Sequence, residues 1–515
     1  MKLLLSFFFL FGLPNISEAQ IPEDAIRYSW FPHNGTARNM ATGGVMGSLG
    51  GDITAAFVNP AGLGFFKTGE FVITPYYLSQ TNKANYRENS TTADQSVFNI
   101  GPTGIIVGSP NRNKPRNSSA FSIAFNQTAN FKNTIRYRAS NNYSSFSEQF
   151  AEEFAKSGYS INEVLTTNSP LPYTSAPALY TYLIDTVSIN GVVQVKAAPE
   201  YLLDSGLSVM QDMEKITGGG MYEIAFAFAG NINDKLYLGG TFGIPLVDFK
   251  SKTTFTESDL SGDTSNRFSS FTYTDEYRSQ GAGANLKLGV IYRPKDYFRI
   301  GFAVHTPSFM SITDTRTTSI TTQLENPVSN FNTDSKIFTN NQEGESRYLQ
   351  YTPWKLLLSA SYVFREVEDV KKQRGFISAD IEYIQHRGSR FSSNNEEPTG
   401  DEKNYYKALN NVVKDIYKGT FNFRVGGELK FNVIMARLGF AYYGNPYKEE
   451  ALKANQLLLS GGLGYRNKGF FVDLSYVHNT KRSIDVPYRL EDRANSFAEL
   501  KQKTGQVVAT LGVKF

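Results

Sequence analysis

The residues best placed to do chemistry sit in two strongly alternating stretches. Asp380 and Glu382 lie two residues apart in GFISADIEYI, while Arg424 and Glu428 lie in TFNFRVGGELKF, with Arg437 in the segment that follows. In an extended chain, residues two apart share a face. If the stretches pair as antiparallel neighbours, Arg424 falls close to Glu382, and Glu428 falls near Arg437 across the next hairpin. Paired carboxylates invite acid/base chemistry, but carboxylates matched to arginines on facing strands are more often structural, satisfying one another in a closed interior. The histidines, His33, His305, His386 and His478, are scattered, with neither metal-ligand spacing nor a Ser/His/Asp constellation. No catalytic residue, metal or cofactor is expected, and an outer-membrane protease or phospholipase is disfavoured.

The elements that must position these side chains are strands. In Thr420 to Phe431, Phe421, Phe423, Val425, Leu429 and Phe431 occupy one face, and Asn422, Arg424, Glu428 and Lys430 the other. Ile377, Ala379, Ile381 and Tyr383 likewise oppose Asp380 and Glu382. Such segments recur near 70–81, 96–108, 119–131, 219–231, 235–250, 270–293, 297–315, 346–364, 374–388, 419–431, 433–444, 456–466, 469–480 and 502–515. About fourteen strands, an even number, suit a single-chain outer-membrane barrel with apolar residues toward lipid and charges toward the lumen. Short connections at Pro110 to Asn117, Asn231 to Asp234, Pro294 to Asp296, Glu366 to Gln373, Asn432, and Asn467 to Lys468 alternate with longer ones, as periplasmic turns alternate with outer loops.

Both ends of the chain fit. Gln506 to Phe515 alternates and closes on an aromatic, the feature read by barrel-assembly machinery, so Phe515 is expected to be an assembly signal. Lys2, the apolar run Leu3 to Leu13, and small residues at Ser17 and Ala19 predict a signal peptide over 1–19, cleaved before Gln20. No later stretch has the roughly 20 apolar residues of a membrane helix, so the mature chain is expected to be secreted or inserted as strands. The absence of cysteine removes disulfides, thiolate metal sites and lipoprotein acylation. Aromatics make up 14% of the chain, yet mean hydropathy is only −0.33, as alternation requires. A net charge of +4 without a basic block argues against a nucleic-acid partner.

Between signal and first strand, residues 20–69 are neither strand-patterned nor disordered in composition. GTARNMATGGVMGSLGGDITAAFVNPAGLGFF, Gly35 to Phe66, is rich in the small residues that permit close backbone packing. This stretch, with Asn59, Pro60, Ala61 and Gly62, resembles the N-terminal hatch of the FadL family of outer-membrane transporters for hydrophobic compounds. MYEIAFAFAGNINDKLYLGGTFGIP from Met221, IGFAVHTPS from Ile300, YTPWKLLLSASYVF from Tyr351, GFISADIEYI from Gly375, and FRVGGELKF through AYYGNPY to Tyr447 are similar to other stretches of that family.

The resemblance implies a fourteen-stranded barrel over 70–515 with the hatch, 20–69, inside it. It also implies passive uptake of hydrophobic small molecules, with capture in outer loops and release sideways beside a kinked third strand. The long loop, about 139–217, is read as partly helical: SSFSEQFAEEFAKSG has a capping-box pattern at Ser145 and Glu148 with Phe150 and Phe154 one turn apart, and LSVMQDMEKI places Val209, Met210, Met213 and Ile216 on one helical face. These faces either receive an apolar ligand or pack together as a lid. The third strand lacks a glycine for a sharp kink, though Asn126 or Asn130 would tolerate a bulge. Asn59 and Pro60 either position the hatch for ligand or end a turn before the first strand. Expected partners are membrane lipid, a hydrophobic ligand and the assembly machinery. A second reading is an accessory barrel of a secretion machine that docks other envelope proteins, as PorV-type relatives of the family do.

Overall fold

The computed structural model describes residues 24–189, 191–325, 328–364 and 374–515. The expected signal peptide and the turn Glu366 to Gln373 lie outside them. Fourteen antiparallel strands close into one barrel. In chain order they are β1 (Glu70–Ile73 continued by Pro75–Tyr86), β2 (Asn89–Ile100 and Thr103–Pro110), β3 (Ser118–Asn130 and Asn133–Asn141), β4 (Val209–Ile232), β5 (Leu236–Asp259), β6 (Ser270–Lys295), β7 (Phe298–His305 and Phe309–Glu325), β8 (Gly344–Tyr351 and Lys355–Phe364), β9 (Gly375–Gln385 and Arg390–Ser393), β10 (Gly419–Phe431), β11 (Ile434–Tyr443), β12 (Gln456–Asn467), β13 (Phe470–Asp485) and β14 (Ala498–Lys514). β14 returns to β1 from Glu70↔Lys514 to Asn85↔Glu499, leaving the sheet no free edge there.

Alternation sets the outer surface. Phe421, Phe423, Val425, Leu429 and Phe431 on β10, Ile377 and Ile381 on β9, and Leu459, Leu463, Leu474 and Leu511 nearby are all exposed, while Asn422, Arg424 and Asp380 between them are buried. In water such a belt would be prohibitive; around a closed barrel it is the surface that meets lipid. The tight turns Asn233–Asp234 and Asn432 hold positive φ (57°, 55° and 58°), the geometry of hairpins whose twist matches their strands.

Several strands outrun the sequence expectation. β4 begins at Val209, so Val209, Met210, Met213 and Ile216 lie on a strand and not on a helix. Their burial alternates: Val209, Gln211 and Met213 turn inward, and Ile216 is exposed. The helical spacing was misleading because β4 remains hydrogen-bonded to β5 up to Asp259↔Val209. The outer connection after β3 therefore spans only 142–208. It holds helix α1 (Glu148–Ser157), short helical turns and a two-stranded hairpin, Ile184–Ile189 with Val192–Ala197. The expected longer connection between the first two strands is a tight turn at Arg87 and Glu88, both at positive φ. A second helix, α2 (Gly400–Ile416), stands between β9 and β10. It is closed by a capping box of Thr399 and Glu402 and buries Tyr405, Leu409 and Val413.

Candidate functional site

The lumen is occupied by chain from the N-terminal side. Val45, Met46, Leu49, Ile53, Phe57, Val58, Leu63 and Phe66 pack in one cluster with Val72, Ile106, Ala225, Ala303, Leu357, Phe376 and Phe471. Those partners lie on β1, β2, β4, β7, β8, β9 and β13, around the whole circumference.

Inward charges hold this segment. Asp380 lies opposite Arg424 in the β9–β10 ladder, and Glu428 opposite Arg437 in β10–β11. Asp380 Oδ2 accepts the Met46 and Gly47 amides at 3.0 and 3.2 Å, its Oδ1 accepts the Ser359 hydroxyl at 2.6 Å, and Arg424 Nε stands 3.8 Å away. Arg424 Nη2 also reaches Glu382 at 3.6 Å, and Asn422 donates to Glu382 at 2.8 Å. Arg437 bridges Glu428 and Asp473, each at 2.6 Å, and Arg38 of the N-terminal segment faces Glu428 at 3.7 Å. The five charged residues singled out from sequence thus form two linked groups. Asp473 and Arg38 belong with them, although sequence reasoning overlooked both. Alternation along Phe471, Asp473 and Ser475 marks Asp473 as inward, but nothing in the sequence pairs Arg38 with Glu428.

Asn59 is fully buried and serves as a joint. Its Nδ2 donates to Gly47 O at 2.6 Å and reaches the β6 carbonyl of Val290 at 3.3 Å, while its Oδ1 accepts the Ala61 amide at 3.2 Å. It thereby caps the 3-10 turn Pro60–Phe65, with Pro60 at the first turn position, where a missing N–H costs nothing. Gly62 O accepts from Gly51. The wall is shaped to match: a Cβ at Gly301 on β7 would collide with the Gly47 carbonyl and Ser48 Cα, and one at Gly289 on β6 with the Asn59 side chain.

Among the described residues, the wall lacks a backbone ladder between the upper parts of β2 and β3. β2 and β3 are joined only from Thr103↔Phe125 to Pro110↔Ser118. Above that, among the described residues, Asn89–Ile100 forms backbone ladders with β1 alone, and Asn133–Asn141 with β4 alone. Side chains bridge this seam: Thr134 Oγ1 donates to Gln95 at 2.7 Å, and Lys132 Nζ to Ser96 O at 3.2 Å. At its foot the β3–β4 register slips between Gln127 and Ala129, a bulge between the two asparagines expected to tolerate one. Asn34 of the N-terminal segment donates to Gln127 O at 2.8 Å and accepts from Asn126 at 3.1 Å. Just above, the Phe131 ring meets Tyr28 and Phe249 at 6.0 and 5.5 Å. Trp30, Phe31 and Phe131 are half-buried, with Lys481 over Trp30 at 4.5 Å and Lys355 over Phe31 at 5.5 Å.

The outer end of the barrel is capped. Phe150 and Phe154 are buried in a cluster with Phe146, Phe255, Phe271, Tyr273, Met213 and Tyr488, so these faces pack on one another. The capping box at Ser145 is half made: its amide donates to Glu148 at 2.6 Å, but its hydroxyl turns to Glu257 at 2.5 Å. Glu257 also accepts the Phe146 amide and the Gln211 side chain, each at 2.7 Å. It lies on the order of 35 Å along β5 beyond Leu246 of the lipid belt, and burial pushes its carboxyl up to about 7. Burial likewise raises Glu148 to about 7, against the Ser145 amide that lowers it. At the opposite end, Phe515 exchanges hydrogen bonds with Gly69 at 2.8 and 3.0 Å, extending the β1–β14 closure.

Closure, fourteen strands, an apolar belt and a charged lumen define an integral outer-membrane β-barrel, and the chain has a FadL-like fold. Among solved structures, the Pseudomonas putida toluene transporter TodX is similar over 94% of this chain and 99% of its own, with 12% identity and a TM-score of 0.52. A Pseudomonas aeruginosa FadL homologue gives 14% identity and a TM-score of 0.49 over 93% and 98%, and the Ralstonia pickettii toluene transporter TbuX 14% and 0.47 over 94% and 99%. At such identities the likeness to TodX speaks for fold. No family model matches the sequence, and no curated protein matches it.

Proposed function

We propose that the protein passively takes up hydrophobic small molecules, such as long-chain fatty acids, lipids or aromatic hydrocarbons, with residues 20–69 acting as a hatch. The observation that carries this reading is the seam between β2 and β3. A wall strand that lacks a backbone ladder on one side can move aside without breaking a row of buried hydrogen bonds. The hatch grips the foot of the seam through Asn34, and Phe131 sits where seam and lumen meet. An apolar ligand descending past the cap would lie against Trp30, Phe31 and Phe131 and leave sideways into the bilayer, avoiding the charged lower lumen. The same architecture in TodX, described as a toluene transporter, supports the assignment.

Because the chain has no cysteine, the double substitution Gln95→Cys with Thr134→Cys gives a clean lock across the seam. Cells expressing it should take up a labelled hydrophobic probe under reducing conditions and lose most of that uptake after oxidation or short bifunctional cross-linking. Uptake that is unchanged by a fully cross-linked seam would remove the lateral path. A barrel that takes up no probe but co-purifies with a defined set of envelope proteins would favour the docking role.

A further inference from the structure

The outer wall carries a second feature that uptake does not use. Directly above the lipid belt, a groove of about 600 Å³ crosses β3 to β7, lined by Lys132, Lys250, Lys252, Arg278, Ile216 and Gly218 among others. Its rows follow from the ladder: Gly218, Lys250, Arg278 and Thr315 share one, and Ile216, Lys252, Glu276 and Thr317 the next. All are outward positions. Lys250 is only about 13 Å along β5 above Leu246, so the groove sits at the level of lipid head groups.

From this basic groove we infer a binding site on the outer wall for a phosphorylated lipid of the surrounding leaflet. Charge is the first argument. Asp248 meets Arg278 at 3.0 Å and Lys250 at 3.9 Å, Glu276 meets Lys252 at 2.7 Å, and Glu343 is turned to Lys336 at 3.1 Å. Three cations thus share two carboxylates, which hold them in position and leave an excess of positive charge, to which Lys132, held by the Ser96 carbonyl, adds a fourth cation. The second argument is shape. A Cβ at Gly218 would meet nothing within 4 Å, so that residue leaves an open floor beneath the cations, and Ile216 beside it is exposed. Phosphate oxygens would receive hydrogen bonds from the Arg278 fork and the lysine ammonium groups, with the apolar part of the lipid continuing down over Ile216 toward the belt. A lipid with a phosphate above an acyl chain would meet both the cations and the exposed Ile216.

The test uses the full-length protein in nanodiscs containing bis-phosphorylated lipid A, with bound lipid read by native mass spectrometry. Wild type should retain the lipid. The combined Lys250→Gln, Lys252→Gln and Arg278→Gln variant should bind it about a hundredfold more weakly, at roughly one factor of five per cation. Gly218→Trp should displace the lipid while keeping every charge, and heat-dependent gel mobility verifies that both variants are folded. Equal retention of lipid A stripped of its phosphates, or unchanged retention in both variants, would overturn the assignment. So would displacement by millimolar inorganic phosphate, which would indicate a site for free anions, or a co-purifying protein held by the same three cations.

Discussion

The Asp380 carboxylate accepts the amide of Met46 at 3.0 Å, so a wall residue of β9 grips the backbone of the segment inside the barrel. The same Oδ2 faces Arg424 at 3.8 Å. Asp380 therefore links lumen charge balance to retention of the N-terminal segment, which favours the structural reading of these carboxylates.

Replacing Asp380 by alanine strands Arg424 beside Glu382 alone and leaves two amides without an acceptor. Breaking a buried pair in this way costs about 3–5 kcal/mol. We expect a lower Tm in mild detergent and frequent open events in planar-bilayer conductance recordings. A variant as quiet and as stable as wild type would mean that the segment is held elsewhere. Asp380→Asn, which keeps an acceptor for the amides, should open less often.

The wall glycines make a separate case. At Gly301 the obstacle to a side chain is backbone, the Gly47 carbonyl and Ser48 Cα, which cannot swing away as a flexible side chain does. Gly301→Ala should cost about 1–3 kcal/mol and sensitise cells to antibiotics too large for an intact outer membrane. Gly230→Ala, where an added Cβ meets nothing within 4 Å, should be silent in the same assay.

Much of this was legible in the sequence because lipid enforces contrast. Where one strand face meets hydrocarbon and the other the lumen, as in Phe421 to Phe431, period-two alternation is unmistakable, and the pairing of Glu428 with Arg437 follows from a one-turn hairpin. Above the belt the contrast fades, since both faces of Thr253, Thr254 and Thr256, or of Arg316, Thr317 and Thr318, are polar. The upper parts of β5 and β7 therefore carry no legible alternation, and the start of β4 shows a helical spacing instead. The charged residues of α2 hid its Tyr405, Leu409 and Val413 stripe. The seam was illegible because a missing ladder leaves no mark on composition. Only the bulge near Asn126 and Asn130 hinted at it.

Phe515 contributes to closure through both of its backbone hydrogen bonds with Gly69, and its ring lies against Gly69. Deleting it should slow barrel insertion severalfold, seen as a growing unfolded band by heat-dependent gel mobility, while protein that does insert transports normally. Phe515→Tyr should insert at the wild-type rate. Normal insertion of the deletion variant would end the assembly-signal reading.

The outer cap should respond to pH, and the sign follows from burial. Glu257 and Glu148 both sit near pKa 7 in the folded cap against an ordinary value of 4.5, so the folded state binds more protons than the unfolded one between those limits. Cap stability is therefore full below about pH 4.5, falls as pH rises through that window, and levels off above pH 7. Each carboxyl accounts for up to about 3 kcal/mol on this basis. Hydrogen exchange at the amides of α1 should be slower at pH 5 than at pH 8 after correction for the intrinsic rate. Glu257→Gln keeps an acceptor for Phe146 but has no charge to desolvate, so it should flatten roughly half of that dependence and protect the cap at pH 8. Exchange that is indifferent to pH in wild type, or equally steep in the Gln variant, would show that the cap opens without ionising Glu257.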